Sequence, residues 1–148
     1  MSLEPGLHDA ARRLVGVLDA MSVPYAVGGA VSMAFSGYIR ATRDLDVLAV
    51  VPAISFEGFA ARLTEEGFSM RDKDERPIPP EGLRMIEAGR RFGYFSIWRD
   101  DIRIEILLPK VPLQDSIIRR RIRADLADFS MWITTAEDLI GLKIVFHR

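Results

Sequence analysis

Tyr25-Ala-Val-Gly-Gly-Ala-Val-Ser-Met-Ala-Phe-Ser-Gly-Tyr-Ile-Arg-Ala-Thr-Arg-Asp-Leu-Asp-Val-Leu-Ala-Val50 is the stretch on which the fold of this chain turns. Tyr25-Ala-Val27 predicts a short strand that runs into Gly28-Gly29, and Ala30–Ser36 predicts a short apolar helix ended near Gly37. Leu45–Val51 is rich in Val and Leu and stops at Pro52, which predicts a central strand. A strand that ends in two glycines and turns into a helix lets backbone N–H groups approach an anion, and the helix N-terminus adds a positive dipole end. Gly28 and Gly29 are therefore candidates for cradling phosphate, with a plain tight turn as the alternative. Asp44 and Asp46 are separated by one residue, so strand alternation puts both carboxylates on one face, roughly 7 Å apart at Cα. Two such acids repel, and strands are poor in Asp. A divalent cation removes the repulsion, and Mg²⁺ suits a site of one or two carboxylates completed by substrate phosphates. The competing reading is two surface acids at a strand entrance, one paired with Arg43 or Arg40.

Working outward, Leu7, Ala11, Leu14, Val15 and Leu18 fall at helical spacing and predict an amphipathic first helix. Phe56, Phe59, Ala60 and Leu63 define a helix closed by Gly67. Arg71–Gly82 carries three prolines and reads as the longest loop, and Leu83–Arg91 as a short helix. Phe92–Trp98 and Ile102–Leu108 flank Arg99-Asp100-Asp101, the pattern of an antiparallel hairpin. Ile117, Ile118, Ile122 and Leu126 outline a further helix with a basic outer side. Thr134-Thr135-Ala-Glu137-Asp138 reads as a capping box that opens a helix from Ala136 to Phe146. Helices at both ends and strands between them predict an α/β (α+β) two-layer domain, a mixed β-sheet flanked by helices, as a single domain over residues 1–148.

Composition narrows the chemistry. With 49% apolar and 28% charged residues the chain has a globular rather than a disordered composition. A formal charge of −1 gives no global pull toward nucleic acid or anionic lipid, so any such binding needs a local patch. The absence of cysteine excludes thiol nucleophiles, disulfides and zinc–thiolate sites. Only His8 and His147 are present, at opposite ends, so acid–base and metal chemistry falls to carboxylates. Val47–Ile54, the longest apolar run, is too short to span a bilayer, and no signal peptide is visible; a cytoplasmic protein without a membrane partner is the expectation.

Taken together, Val27-Gly-Gly and Arg40-Ala-Thr-Arg-Asp-Leu-Asp46 resemble the nucleotidyltransferase superfamily that includes DNA polymerase beta, and more closely its minimal AbiEii-type members. The resemblance implies that Asp44 and Asp46 bind catalytic Mg²⁺ (or Mn²⁺) and that Gly28 and Gly29, with Arg43, hold a nucleoside triphosphate. It also implies a third carboxylate on a later neighbouring strand. Ile102-Arg-Ile-Glu-Ile-Leu-Leu108 offers Glu105, facing opposite its isoleucines, with an ion pair to Arg103 or a cross-strand base as the alternative reading. Ala136-Glu-Asp-Leu-Ile-Gly-Leu-Lys143 is similar to the family's C-terminal helix, whose Lys reaches the triphosphate; a snorkelling Lys143 on an apolar stripe explains the same spacing. The match covers about two-thirds of the chain in scattered pieces. It departs from the family in the fourteen residues between Gly29 and Asp44, in lacking the Ser that often follows the first Gly, and in stopping at Arg148 where relatives continue with further helices. Acceptor recognition is then expected to be missing or supplied by another chain.

The implied activity is metal-dependent transfer of a nucleoside monophosphate from an NTP to an unidentified hydroxyl acceptor on a protein, an RNA or a small molecule. The alternative is a catalytically inactive binding protein of the same fold, a toxin–antitoxin or regulatory component, with a homo-oligomer or protein partner. A third reading is nucleic-acid binding through Arg119, Arg120, Arg121 and Arg123. Asp115, Asp125 and Asp128 lie at helical reach and no aromatic residue is interleaved, so a solvated, salt-bridged face is the preferred reading of that cluster.

Overall fold

The computed structural model describes residues 3–28, 44–110, 112–135 and 137–138. In chain order these form α1 (Pro5–Ala20), β1 (Tyr25–Gly28), β2 (Asp44–Ala49), a 3₁₀ turn (Ala53–Ser55), α2 (Phe56–Glu65), β3 (Met70–Arg71), β4 (Pro77–Ile78), α3 (Gly82–Phe92), β5 (Tyr94–Arg99), β6 (Ile102–Leu107), α4 (Pro112–Arg120), β7 (Ile122–Asp125) and β8 (Ser130–Ile133). Six strands make one mixed sheet in the order β5-β6-β2-β1-β8-β7. β2 runs parallel to β6, β1 parallel to β8, and the remaining pairs are antiparallel. The expected mixed sheet flanked by helices is what the chain forms.

Strand alternation sorts the residues onto two unlike faces. Tyr25 and Val27 of β1, Leu45, Val47 and Ala49 of β2, and Ile102, Ile104 and Ile106 of β6 join α1, α2 and α3 in the main core, with Phe59 and Leu63 fully buried. The opposite face takes the alternate positions. There Ala26, Leu48 and Leu107 pack with Ile117 and Ile118 of α4 in a second, smaller apolar cluster. Because β2 and β6 are parallel and in register, the apolar end of this face is Leu48 beside Leu107, and the other end is polar. α4 covers the apolar end.

Local chemistry explains the boundaries. Glu4 caps α1 by accepting from the Gly6 and Leu7 amides at 3.2 and 3.1 Å, and Pro5 follows at the first helical position. Gly67 after α2 and Gly93 after α3 take φ of +84° and +85°, the left-handed conformation that ends a helix cheaply only at glycine. Two expectations need correction. The helix drawn through Ile117, Ile118, Ile122 and Leu126 ends at Arg120; Ile122–Asp125 is strand β7, paired with β8, and β8 itself was not foreseen. The four apolar positions fit a helical stripe, but Ala124 is buried and Ile122 is 49% exposed, so the strand period prevails once β8 supplies a partner. The predicted loop from Arg71 to Gly82 holds part of a small hairpin, with Met70–Arg71 paired to Pro77–Ile78. The predicted helices over Ala30–Ser36 and Ala136–Phe146 lie outside the described residues, except that Thr135 Oγ1 accepts from the Asp138 amide at 3.2 Å, as a helix cap does. No described helix is long and apolar enough to cross a membrane.

Candidate functional site

The polar end of the second face is built by four strands. In the β2–β6 register Asp44 stands opposite Arg103 and Asp46 opposite Glu105; in the β1–β2 register Gly28 stands opposite Asp46. On the far side of β6, Ser96 of β5 is the partner of Glu105. Gly28, Asp46, Glu105 and Ser96 therefore form one row across four strands, each step about 4.8 Å. Two carboxylates sixty positions apart in the sequence become lateral neighbours, because in-register pairing keeps alternate residues on a common face. The row exists only once β6 has docked on β2.

Burial deepens across the group: Asp44 is exposed, Asp46 half-buried and Glu105 buried at 7%. A buried carboxylate needs compensation, and Glu105 Oε1 lies 2.7 Å from Arg103 Nη2. Arg103 also reaches Ser96 Oγ through Nε and Nη2, both at 3.4 Å, and its guanidinium carbon is 6.0 Å from the centroid of the Trp98 ring. One cation thus serves the Asp44 register position, Glu105 and the edge-strand residues Ser96 and Trp98. Beside it, a cleft of about 250 Å³ is lined by Arg71, Phe92, Tyr94, Ser96, Trp98 and Arg103 among others. Sequence reasoning raised Arg103 only as a possible ion-pair partner of Glu105; its position two residues before Glu105 was the available signal for more.

The C-terminal segment arrives at the glycine end of the row. The Thr134 amide donates to Val27 O at 3.0 Å, extending the β8–β1 ladder next to Gly28. Arg120, at the end of α4, grips Asp138 with both branches of its guanidinium, Nε to Oδ2 at 3.2 Å and Nη2 to Oδ1 at 2.5 Å. That pair fixes where the chain leaves the sheet. The remaining residues expected at the site, Gly29, Arg43 and Lys143, lie outside the described residues. Among the described residues no group of three His, Cys, Asp or Glu is already arranged to hold a metal ion. By residue type the three carboxylates fit a hard cation, but Glu105 is engaged by Arg103.

No protein-family model and no curated protein matches the sequence. Solved structures do match. A Thermotoga maritima protein described as a candidate nucleotidyltransferase superposes with a TM-score of 0.62 at 12% identity, over 99% of this chain and 88% of that one. A tRNA-processing enzyme superposes with a TM-score of 0.52 at 19% identity, over 97% of this chain and 36% of the enzyme. The chain thus spans about a third of that enzyme's length. At these identities the likeness establishes the architecture, which is that of the nucleotidyltransferase fold.

Proposed function

We propose that this chain is a metal-dependent nucleotidyltransferase that moves a nucleoside monophosphate from an NTP to a hydroxyl acceptor. The observation that carries the reading is the in-register placement of Asp46 between Gly28 and Glu105 on one face of a nucleotidyltransferase-type sheet. Asp44 and Asp46 would hold Mg²⁺ or Mn²⁺, with Glu105 as the third ligand. When bound, the ion neutralises triphosphate charge and polarises the phosphorus under attack. Gly28 and Gly29 offer backbone N–H groups to the phosphates, and Arg43 and Lys143 add positive charge there. Glu105 is the group suited to take the proton of the acceptor hydroxyl, because it is buried and its carboxylate is held in place by Arg103. The acceptor is a protein, an RNA or a small molecule.

One observation favours a second reading, a binding protein of the same fold that acts as a toxin–antitoxin or regulatory component without turnover. Arg103 holds Glu105 at 2.7 Å, which takes the third carboxylate away from a cation. Release of pyrophosphate from each NTP in the presence of Mg²⁺ or Mn²⁺ separates the two. Turnover that requires metal and disappears in Asp44→Asn/Asp46→Asn supports the transferase. Triphosphate binding without pyrophosphate release supports the binding protein.

A further inference from the structure

The arginines from Arg119 to Arg123 do not form the salt-bridged helical face that their spacing suggested. Arg119 and Arg120 close α4, Arg121 lies in the connection, and Arg123 sits on β7, the outer strand at one end of the sheet. Their local partners also differ. Arg120 is taken by Asp138, and Arg119 reaches Ser116 Oγ at 3.1 Å. Asp128 is taken by His8 at 2.6 Å and Arg12 at 3.7 Å. Among the described residues no ion pair links Arg121 or Arg123 to a carboxylate.

What they meet instead is an aromatic ring. Arg123 is the register partner of Trp132 on β8, and Arg121 is two residues earlier on the same side. Their guanidinium carbons lie 4.8 and 4.6 Å from the Trp132 ring centroid. The ring attracts each cation but leaves the two to repel one another, and an anion bridging them relieves that repulsion. Charges on an edge strand also discourage pairing with other sheets, but that task needs no aromatic platform beneath them. Trp132 further lines a cleft of about 210 Å³ with Ser22, Tyr25, Arg121 and Asp19, at the β1 end remote from Gly28. Asp19 there and Asp125 at the far end of β7 confine the positive surface to the arginine end of the strand.

We propose that this surface, Arg121 and Arg123 over Trp132 with Arg119 on the adjoining turn of α4, binds the phosphodiester backbone of a single-stranded nucleic acid. Planar guanidiniums stacked on indole present their N–H edges to phosphate and a flat surface to bases, the combination that single-strand binders use. The inference stands apart from nucleotidyl transfer, since it uses none of the residues assigned to that site.

The test is fluorescence anisotropy of a labelled 20-nucleotide single-stranded RNA of mixed sequence, titrated with the full chain at several salt concentrations. Arg121→Gln/Arg123→Gln should raise Kd by about tenfold and lower the slope of log K against log salt by about 1.4, the value for two phosphate contacts on a single strand. Arg62→Gln/Arg90→Gln, an equal charge change on exposed positions of α2 and α3, should alter Kd by less than about twofold. In a Trp98→Phe background, strand binding should quench the fluorescence of Trp132. No binding by the unaltered chain, equal losses in both double variants, or unchanged Trp132 fluorescence would each overturn the proposal. So would competition by millimolar inorganic phosphate as complete as by unlabelled strand, which would mean a lone anion site. Tighter binding of duplex than of single strand would overturn it as well.

Discussion

The same three strands, β1, β2 and β6, carry two opposite kinds of surface. Toward α1–α3 they present Tyr25, Val27, Leu45, Val47, Ala49, Ile102, Ile104 and Ile106, all apolar and nearly or wholly excluded from solvent. Toward the other side they present Gly28, Asp44, Asp46, Arg103 and Glu105, and among the described residues α4 packs on this face at its Leu48–Leu107 end. The first face is where burial of apolar area stabilises the fold. The second gathers three acids and one arginine, with Glu105 buried, the kind of local conflict that proteins tolerate where a ligand is to be handled. Substitutions on the two faces should therefore separate stability from activity.

The largest effect is expected on the polar face. Asp44→Asn/Asp46→Asn should reduce metal-dependent pyrophosphate release by about a thousandfold or more while lowering the melting temperature far less than a core substitution does, because both positions lie outside the apolar core. Initial rates and thermal melts of one preparation read both, and a parallel fall in stability would break the division. On the apolar face, Phe59→Ala should cost about 3–5 kcal/mol in urea unfolding, since the ring is fully buried and packs edge-on against Phe95 at 6.4 Å. Nucleotide affinity of the folded fraction should not change.

Arg103→Met sharpens the comparison at a single position. Without Arg103 the buried Glu105 loses an ion pair that offsets its burial, so the metal-free variant should melt below the unaltered chain. Mn²⁺ with a triphosphate should then raise its melting temperature by more than it raises that of the unaltered chain. An equal ligand-induced shift in both would mean that Arg103 does not compete with a cation for Glu105.

The smallest effect lies away from both faces. Asp9 of α1 receives Arg12 at 2.9 Å and Arg13 at 3.0 Å and lies 2.7 Å from Arg99 at the end of β5. Burial works against its ionisation, but hydrogen bonds from Arg13 and Arg12 and the charges of Arg99 and Arg13 hold its carboxyl below the ordinary value. A depressed folded-state pKa contributes stability above the unfolded value, about 3.9, and loses it as pH falls through the folded one. Asp9→Asn should therefore lower the melting temperature modestly and evenly from pH 5 to 8, and the difference should shrink below about pH 4. A difference that grows on acidification would contradict the sign.

Alternation and composition alone determined much of this molecule. Val and Leu after Asp44, isoleucines around Glu105 and the polar turn at Arg99-Asp100-Asp101 are local signals, and they placed β2, β5 and β6 to within a residue or two, with both aspartates on one face. The phosphate and metal roles proposed for the glycines and acids rest on the same kind of local signal, a few consecutive residues. Three things were not in any local window. The pairing of Asp46 with Glu105 depends on β6 docking parallel to β2 across two intervening helices. The buried state of Glu105 depends on that sheet being covered, and its Arg103 partner mattered only once water was removed. The strand at Ile122–Asp125 depends on a partner, β8, whose hydrogen bonds outweigh a helical spacing of four apolar residues. In each case the deciding energy comes from contacts between residues distant in sequence, so only the tertiary structure could supply it.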